Sequence, residues 1–178
     1  MKTLHAFISS ACFPAGWKSN ELSVTGQVHP GDTQALRRFG TAWVLFALAL
    51  ALHVTDEAAH DFLSTYNASV RVIRARLPFL PFPTFSFRIW LTLLVAGILL
   101  LLCLSPWAFR GASWLRIVAR PLAIIVGILN ATGHISSSIY LQRWMPGVYS
   151  SPILLAAAIF LLASSWRSDY QTQDNFEP

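Results

Sequence analysis

"ALHVTDEAAHDF", residues 51–62, is the stretch on which the reading turns. The thirteen residues before His53, Gly40 to Leu52, carry no charge; His53, Asp56, Glu57, His60 and Asp61 then follow within nine positions. Asp56, Glu57 and Asp61 are the only acids between Asp32 and Asp169. A helix turns about 100° per residue, so with His53 at zero, Asp56 falls at about 300°, Glu57 at about 40° and His60 at about 340°. These four share one arc of about 100°, with Asp61 at its edge. The stretch is a polar stripe that continues an apolar helix, with groups able to bind a metal or a proton one turn apart.

The rest of the chain supplies a membrane around that stripe. Of 178 residues, 54% are apolar and 12% charged, and the mean hydropathy is +0.52. A soluble domain carries about 25% charged residues, so these charges are too few to cover a water-facing surface. Lipid removes that requirement, because the sides of a bundle of spanning helices face hydrocarbon. The excess of +5 is arginine scattered between apolar segments, as in loops that orient a membrane protein. Nucleic-acid binding would need a basic stripe with interleaved aromatics, and none is present. Cys12 and Cys103 form no CxxC pair. The N-terminal stretch lacks the long apolar core and small-residue cleavage site of a secretory signal.

The expected fold is all-α: a polytopic four-helix transmembrane bundle with a long first helix. Residues 1–34 read as a loosely ordered polar leader. Spans are expected over about 38–66, 88–105, 116–144 and 151–167, with 168–178 a disordered tail. Pro121 falls early in the third span, where its missing N–H costs least. Pro78, Pro81 and Pro83 exclude a regular helix from "SVRVIRARLPFLPFPTFSFR", residues 69–88, which reads as an interfacial loop with its phenylalanines in lipid. Four spans put both termini on one side. That side holds Lys2, Lys18, Arg37, Arg38, Arg110, Arg116, Arg120 and Arg167, against Arg71, Arg74, Arg76, Arg88 and Arg143 opposite. The balance expects cytoplasmic termini in a cell inner membrane.

A second stripe lies in the third span: Asn130, His134 and Ser138 recur every four residues, and Gly127 on the same face admits a close neighbour. His53 follows Arg38, and His134 follows Arg120, by roughly 21–23 Å of helix. Both imidazoles therefore sit at one depth, and the stripes are expected to face each other. An ionised acid deep in a span costs about 2.5–3.5 kcal/mol on insertion scales. The acids must reach the far interface or bind something that compensates them.

Three uses fit. Asn130 and His134 can be interhelical glue worth roughly 0.6–2 kcal/mol. The same groups can form a proton relay or small-ligand pocket, as in a proton-coupled carrier. Or His53, Glu57, His60 and His134 hold a divalent metal, zinc or iron, with Asp56, Asn130 and Ser138 supporting and Glu57 and Asp56 as the reactive carboxylates. The third is the leading expectation: a membrane-embedded metal-dependent enzyme acting on a membrane lipid or other hydrophobic small molecule, by hydrolysis or by oxidation. A non-catalytic assembly subunit stands beside it.

"H53-V-T-D-E57" resembles the motif of the HXXEE family, small bacterial integral membrane proteins, and "N130-A-T-G-H134" with "Y140-L-Q-R-W-M-P146-G147" is similar to its later part. The resemblance covers about residues 38–165. It implies the membrane fold and the site, and no reaction. Asp56 stands where the family has its first glutamate, one methylene shorter.

Overall fold

The apolar run after Arg38 forms α1, Pro30–Ala59. Its buried face is one continuous helical stripe: Phe39, Ala42, Trp43, Phe46, Leu50, then His53, Val54 and Glu57. Leu45, Leu48 and Leu52 occupy the opposite, exposed face. The polar stripe thus continues the inward apolar stripe and points into the bundle. The computed structural model describes residues 30–79 and 81–173, with side chains over 33–79 and 81–166. The leader expected over 1–34 falls mostly outside them, and its last residues, from Pro30, already belong to α1.

The first helix differs from expectation at its far end. It stops at Ala59 instead of running to Tyr66, because Asp61 adopts a left-handed conformation (φ 53°, ψ 44°). Aspartate tolerates that conformation better than most residues. The chain restarts as α2, Phe62–Arg76, so the first part of the expected proline-rich loop is helical. Helix ends before Pro78, as proline dictates. Asn67 then clamps the following loop, donating to the carbonyl of Phe85 (2.9 Å) and accepting from its N–H (3.1 Å).

Next come α3, Phe87–Cys103, and a short α4, Ser105–Phe109. The third rod starts as α5, Ser113–Pro121, winds as a π-helix through Leu122–Leu129 and ends as α6, Asn130–Leu141. Pro121 is therefore well inside this rod, not in its first turn, and the widened turns begin directly after its break in the α-type ladder. The last helix, α7, covers Ser151–Gln173, carrying helical backbone into the stretch expected to lack order. Residues 174–178 lie outside the described residues.

No strand occurs among the described residues. Thr33–Ala59, Phe87–Phe109 and Ser113–Leu141 are long and apolar enough to cross a membrane; the apolar part of α7, Ser151–Trp166, is shorter. Their outer faces carry Ile89, Leu93, Leu99, Ile117, Ile125 and Ile159, all exposed. Such a surface suits hydrocarbon and would aggregate in water.

The stripe-bearing rods are bridged by α7, which packs along α1 and against α5, the π-helical segment and α6. Leu154, Ala158 and Leu161 of α7 are fully buried there. Gly127 makes the approach possible, since a Cβ at that position would meet Ala158 Cβ and come within 3.0 Å of Phe46. On the other flank, Trp43 Nε1 donates to the Leu101 carbonyl (2.7 Å), pinning α1 to α3.

Candidate metal centre

His53 is fully buried, Glu57 is 4% exposed and His134 is 8% exposed. Glu57 Oε1 lies 3.6 Å from His53 Nε2 and 3.0 Å from His134 Nε2. The two rings meet edge to face with centroids 4.9 Å apart. Phe62, turned inward just after the Asp61 break, covers His134 at 5.4 Å and reaches Trp90 at 6.0 Å. The stripes of α1 and α6 face each other at one depth, as their spacing from Arg38 and Arg120 implies.

The His53 ring is held in place. His53 Nδ1 contacts Ser150 Oγ at 2.9 Å, and that hydroxyl lies 2.8 Å from Asp56 Oδ2. The Ser150 N–H also donates to Asp56 Oδ2 (3.0 Å). With Ser150 giving its proton to Asp56, its oxygen accepts from His53 Nδ1–H, and the lone pair of His53 falls on Nε2. Asn130 Nδ2 donates to that Nε2 at 3.1 Å. Carboxylate and hydroxyl thus fix the tautomer that presents Nε2 to Glu57 and His134, the arrangement by which proteins orient histidine ligands.

These three side chains fit a divalent ion. Each offers one ligand atom, and all lie within 4.8 Å of one another. Two ligands about 2.1 Å from a tetrahedral ion stand about 3.4 Å apart. The two Glu57 distances, 3.0 and 3.6 Å, bracket that value, while the group as a whole spans up to 4.8 Å, so an ion would have to draw the side chains slightly together. Two nitrogens and one carboxylate oxygen are a donor set suited to zinc or non-haem iron, with a position left open. Gly147, at φ +85°, closes the site from the loop before α7; a Cβ there would come within 2.9 Å of His134 and 3.1 Å of Glu57.

His60 is not brought into the cluster. Helix α1 ends one residue before it, its side chain is 50% exposed, and its Nδ1 turns back to Asp56 Oδ1 (2.9 Å). The projection that put it on the inward face assumed one more turn of helix. Asp56 lies beside the cluster and not in it, acting on His53 through Ser150. Asn130 holds His53 and not His134. Ser138 accepts from the Met145 N–H (3.0 Å), fixing the loop that carries Gly147. Ser150 was not anticipated. Its only signal was a polar pair, Ser150-Ser151, opening an apolar helix that runs antiparallel to α1 from the level of Asp56.

Fold and site together define a class: a helical membrane protein that buries a two-histidine, one-carboxylate cluster between its rods. Within it, the chain belongs to the family described as "protein of unknown function with HXXEE motif", whose model matches residues 43–161. That range contains all three cluster residues and both stripes. No curated protein and no solved structure matches the chain.

Proposed function

We propose that the chain is a four-helix inner-membrane protein, with α7 completing the bundle and the termini cytoplasmic, and that it is a metal-dependent enzyme acting on a lipid or another hydrophobic substrate. The observation that carries this reading is the convergence of His53, Glu57 and His134 from two rods into a buried cluster whose ligand atoms are within 4.8 Å. An acid at that depth needs compensation, and a divalent cation supplies it. Bound there, the ion would polarise a substrate oxygen or activate water at its open position. His53, Glu57 and His134 would hold it, Ser150 and Asp56 would orient His53, and Phe62 would limit water entry.

The test is elemental mass spectrometry of detergent-purified protein beside His53→Ala and His134→Ala. Near-stoichiometric zinc or iron, lost in both variants, supports the reading. Metal-free protein that remains folded after reconstitution with zinc and iron removes it. A second reading has its own observation: the chain Asp56–Ser150–His53 is hydrogen-bonded without interruption, as a proton relay requires. Metal-independent proton flux in liposomes distinguishes it.

A further inference from the structure

Two clefts lie beside the loop between α6 and α7, and they share Arg143 and Trp144. One, of about 260 Å³ and the more polar of the two, is lined by His60, Thr65, Met145, Pro146 and Tyr149 together with those two residues. The other, of about 600 Å³, runs along Ile135, Ile139, Val148 and Pro152 and is mainly apolar. The backbone is held on both sides of Trp144: the Arg143 N–H donates to the Ser138 carbonyl (3.2 Å), and the Met145 N–H to Ser138 Oγ. Trp144 stacks on Tyr149 with rings 5.4 Å apart and 12° from parallel.

From these features we infer a binding site for an anionic phospholipid, its phosphate in the polar cleft against Arg143, its headgroup hydroxyls beside His60, and one acyl chain in the groove along Ile135 and Ile139. Depth, charge and adjacency carry the inference. Helix α1 runs about 32 Å from Arg38 to its end just before His60, and the third rod runs a few Å less from Arg120 to its end just before Arg143, about the thickness of the hydrocarbon core. Both cleft-lining groups therefore stand where headgroups lie. No acidic side chain lines either cleft among the described residues. Arg143 has no acidic partner among them. Guanidinium is the group best matched to phosphate geometry. His60 gives its Nδ1–H to Asp56, so its Nε2 is left as an acceptor, suited to a headgroup hydroxyl and not to the phosphate itself. The polar cleft also adjoins the cluster: Met145 and Pro146 line it, and the next residue, Gly147, packs on His134 and Glu57. The inference rests on the metalloenzyme reading only in naming its substrate class; the lipid site stands on its own geometry.

Native mass spectrometry of the full chain in detergent, titrated with phosphatidylglycerol or with phosphatidylcholine of matched chains, tests it. Phosphatidylglycerol is expected to bind at least about fivefold more tightly. Arg143→Gln should reduce that preference to about twofold or less, while Arg76→Gln, an exposed arginine outside both clefts, leaves it intact. Ile139→Trp, filling the groove, should weaken both lipids. Glycerol 3-phosphate, a head without a chain, should not displace the lipid. No preference in the unmodified protein, or equal loss in both arginine variants, overturns the site in favour of diffuse headgroup attraction. Displacement by glycerol 3-phosphate overturns the lipid in favour of a free phosphate ligand. Metal content, measured on the same samples, separates the two proposals. His134→Ala should lose metal and keep the lipid preference, and Arg143→Gln should do the reverse.

Discussion

Glu57 lies closer to His134, on another rod, than to His53 one turn back on its own helix: 3.0 Å against 3.6 Å. Two residues four apart on a helix meet by default. Here Ser150 and Asn130 hold the His53 ring by its two nitrogens, and the carboxylate bridges to the third rod. The cluster is therefore a product of tertiary packing, and it exists only while α7 keeps the two stripes together.

That makes Glu57→Gln the cleanest test of the carboxylate. The amide keeps the shape and a hydrogen bond to either ring but removes the charge. Bound metal should fall by about tenfold or more, since a neutral oxygen is a poor ligand for zinc or iron. The thermal midpoint of metal-free protein should hold or rise, because a buried charge disappears. Unchanged metal content in this variant removes Glu57 from the ligand set.

Ser150→Ala addresses the hydroxyl between Asp56 and His53. Removing it leaves His53 Nδ1 unpaired in the buried interior and strips Asp56 of one of its donors. Loss of a buried partner costs about 1–3 kcal/mol, readable in denaturant or thermal unfolding. Metal affinity should drop by about 10- to 100-fold, the usual effect of losing a group that orients a histidine ligand. Ser150→Thr, which retains the hydroxyl, should recover most of the affinity if Ser150 acts by orientation.

His60→Ala should leave metal content unchanged. The half-exposed ring is tied to Asp56 and lies outside the cluster. Elemental analysis beside His53→Ala makes the comparison direct. Loss of metal in both would mean that the chain closes His60 onto the site.

Much of this was legible in the sequence. The membrane class followed from scarce charge and long apolar runs, and the pairing of His53 with His134 from similar sequence distances to Arg38 and Arg120. What periodicity could not show was where the period ends. Asp61 chooses a left-handed conformation inside a pattern that still fits an amphipathic helix, so His60 projected inward when it does not. Nor does hydropathy record which rod lies between which. The bridging place of α7 depends on Gly127 meeting Ala158, and it brings Ser150 to His53. A serine opening an apolar helix reads as an ordinary cap until that packing is known.

Gly147→Ala probes the closure of the site. The position requires φ +85°, which side chains rarely adopt, and the new methyl would press on His134 and Glu57 at once. The backbone alone costs about 1–3 kcal/mol. The expected result is a lowered unfolding midpoint together with metal loss. Metal loss is the informative part, because strain in a loop away from the cluster would lower stability and leave occupancy intact.

Asn130→Asp separates a metal centre from a set of helix-joining hydrogen bonds. Asn130 donates to the lone pair of His53 Nε2, the same lone pair an ion would take, so the amide competes with metal for that atom. An aspartate there places a second carboxylate beside Glu57. Without metal, two acids and two histidines share one buried space, and the protein should be destabilised. With zinc or iron, the new oxygen becomes a fourth ligand, and the unfolding midpoint should rise with metal concentration, more steeply than in the unmodified protein. Helix glue predicts the first effect without the second: a weakened protein that no divalent ion restores. A calorimetric scan of the variant with and without zinc, with magnesium as the control ion, reads both effects in one experiment. Rescue by zinc alone identifies the cluster as a site built for a nitrogen-ligated metal.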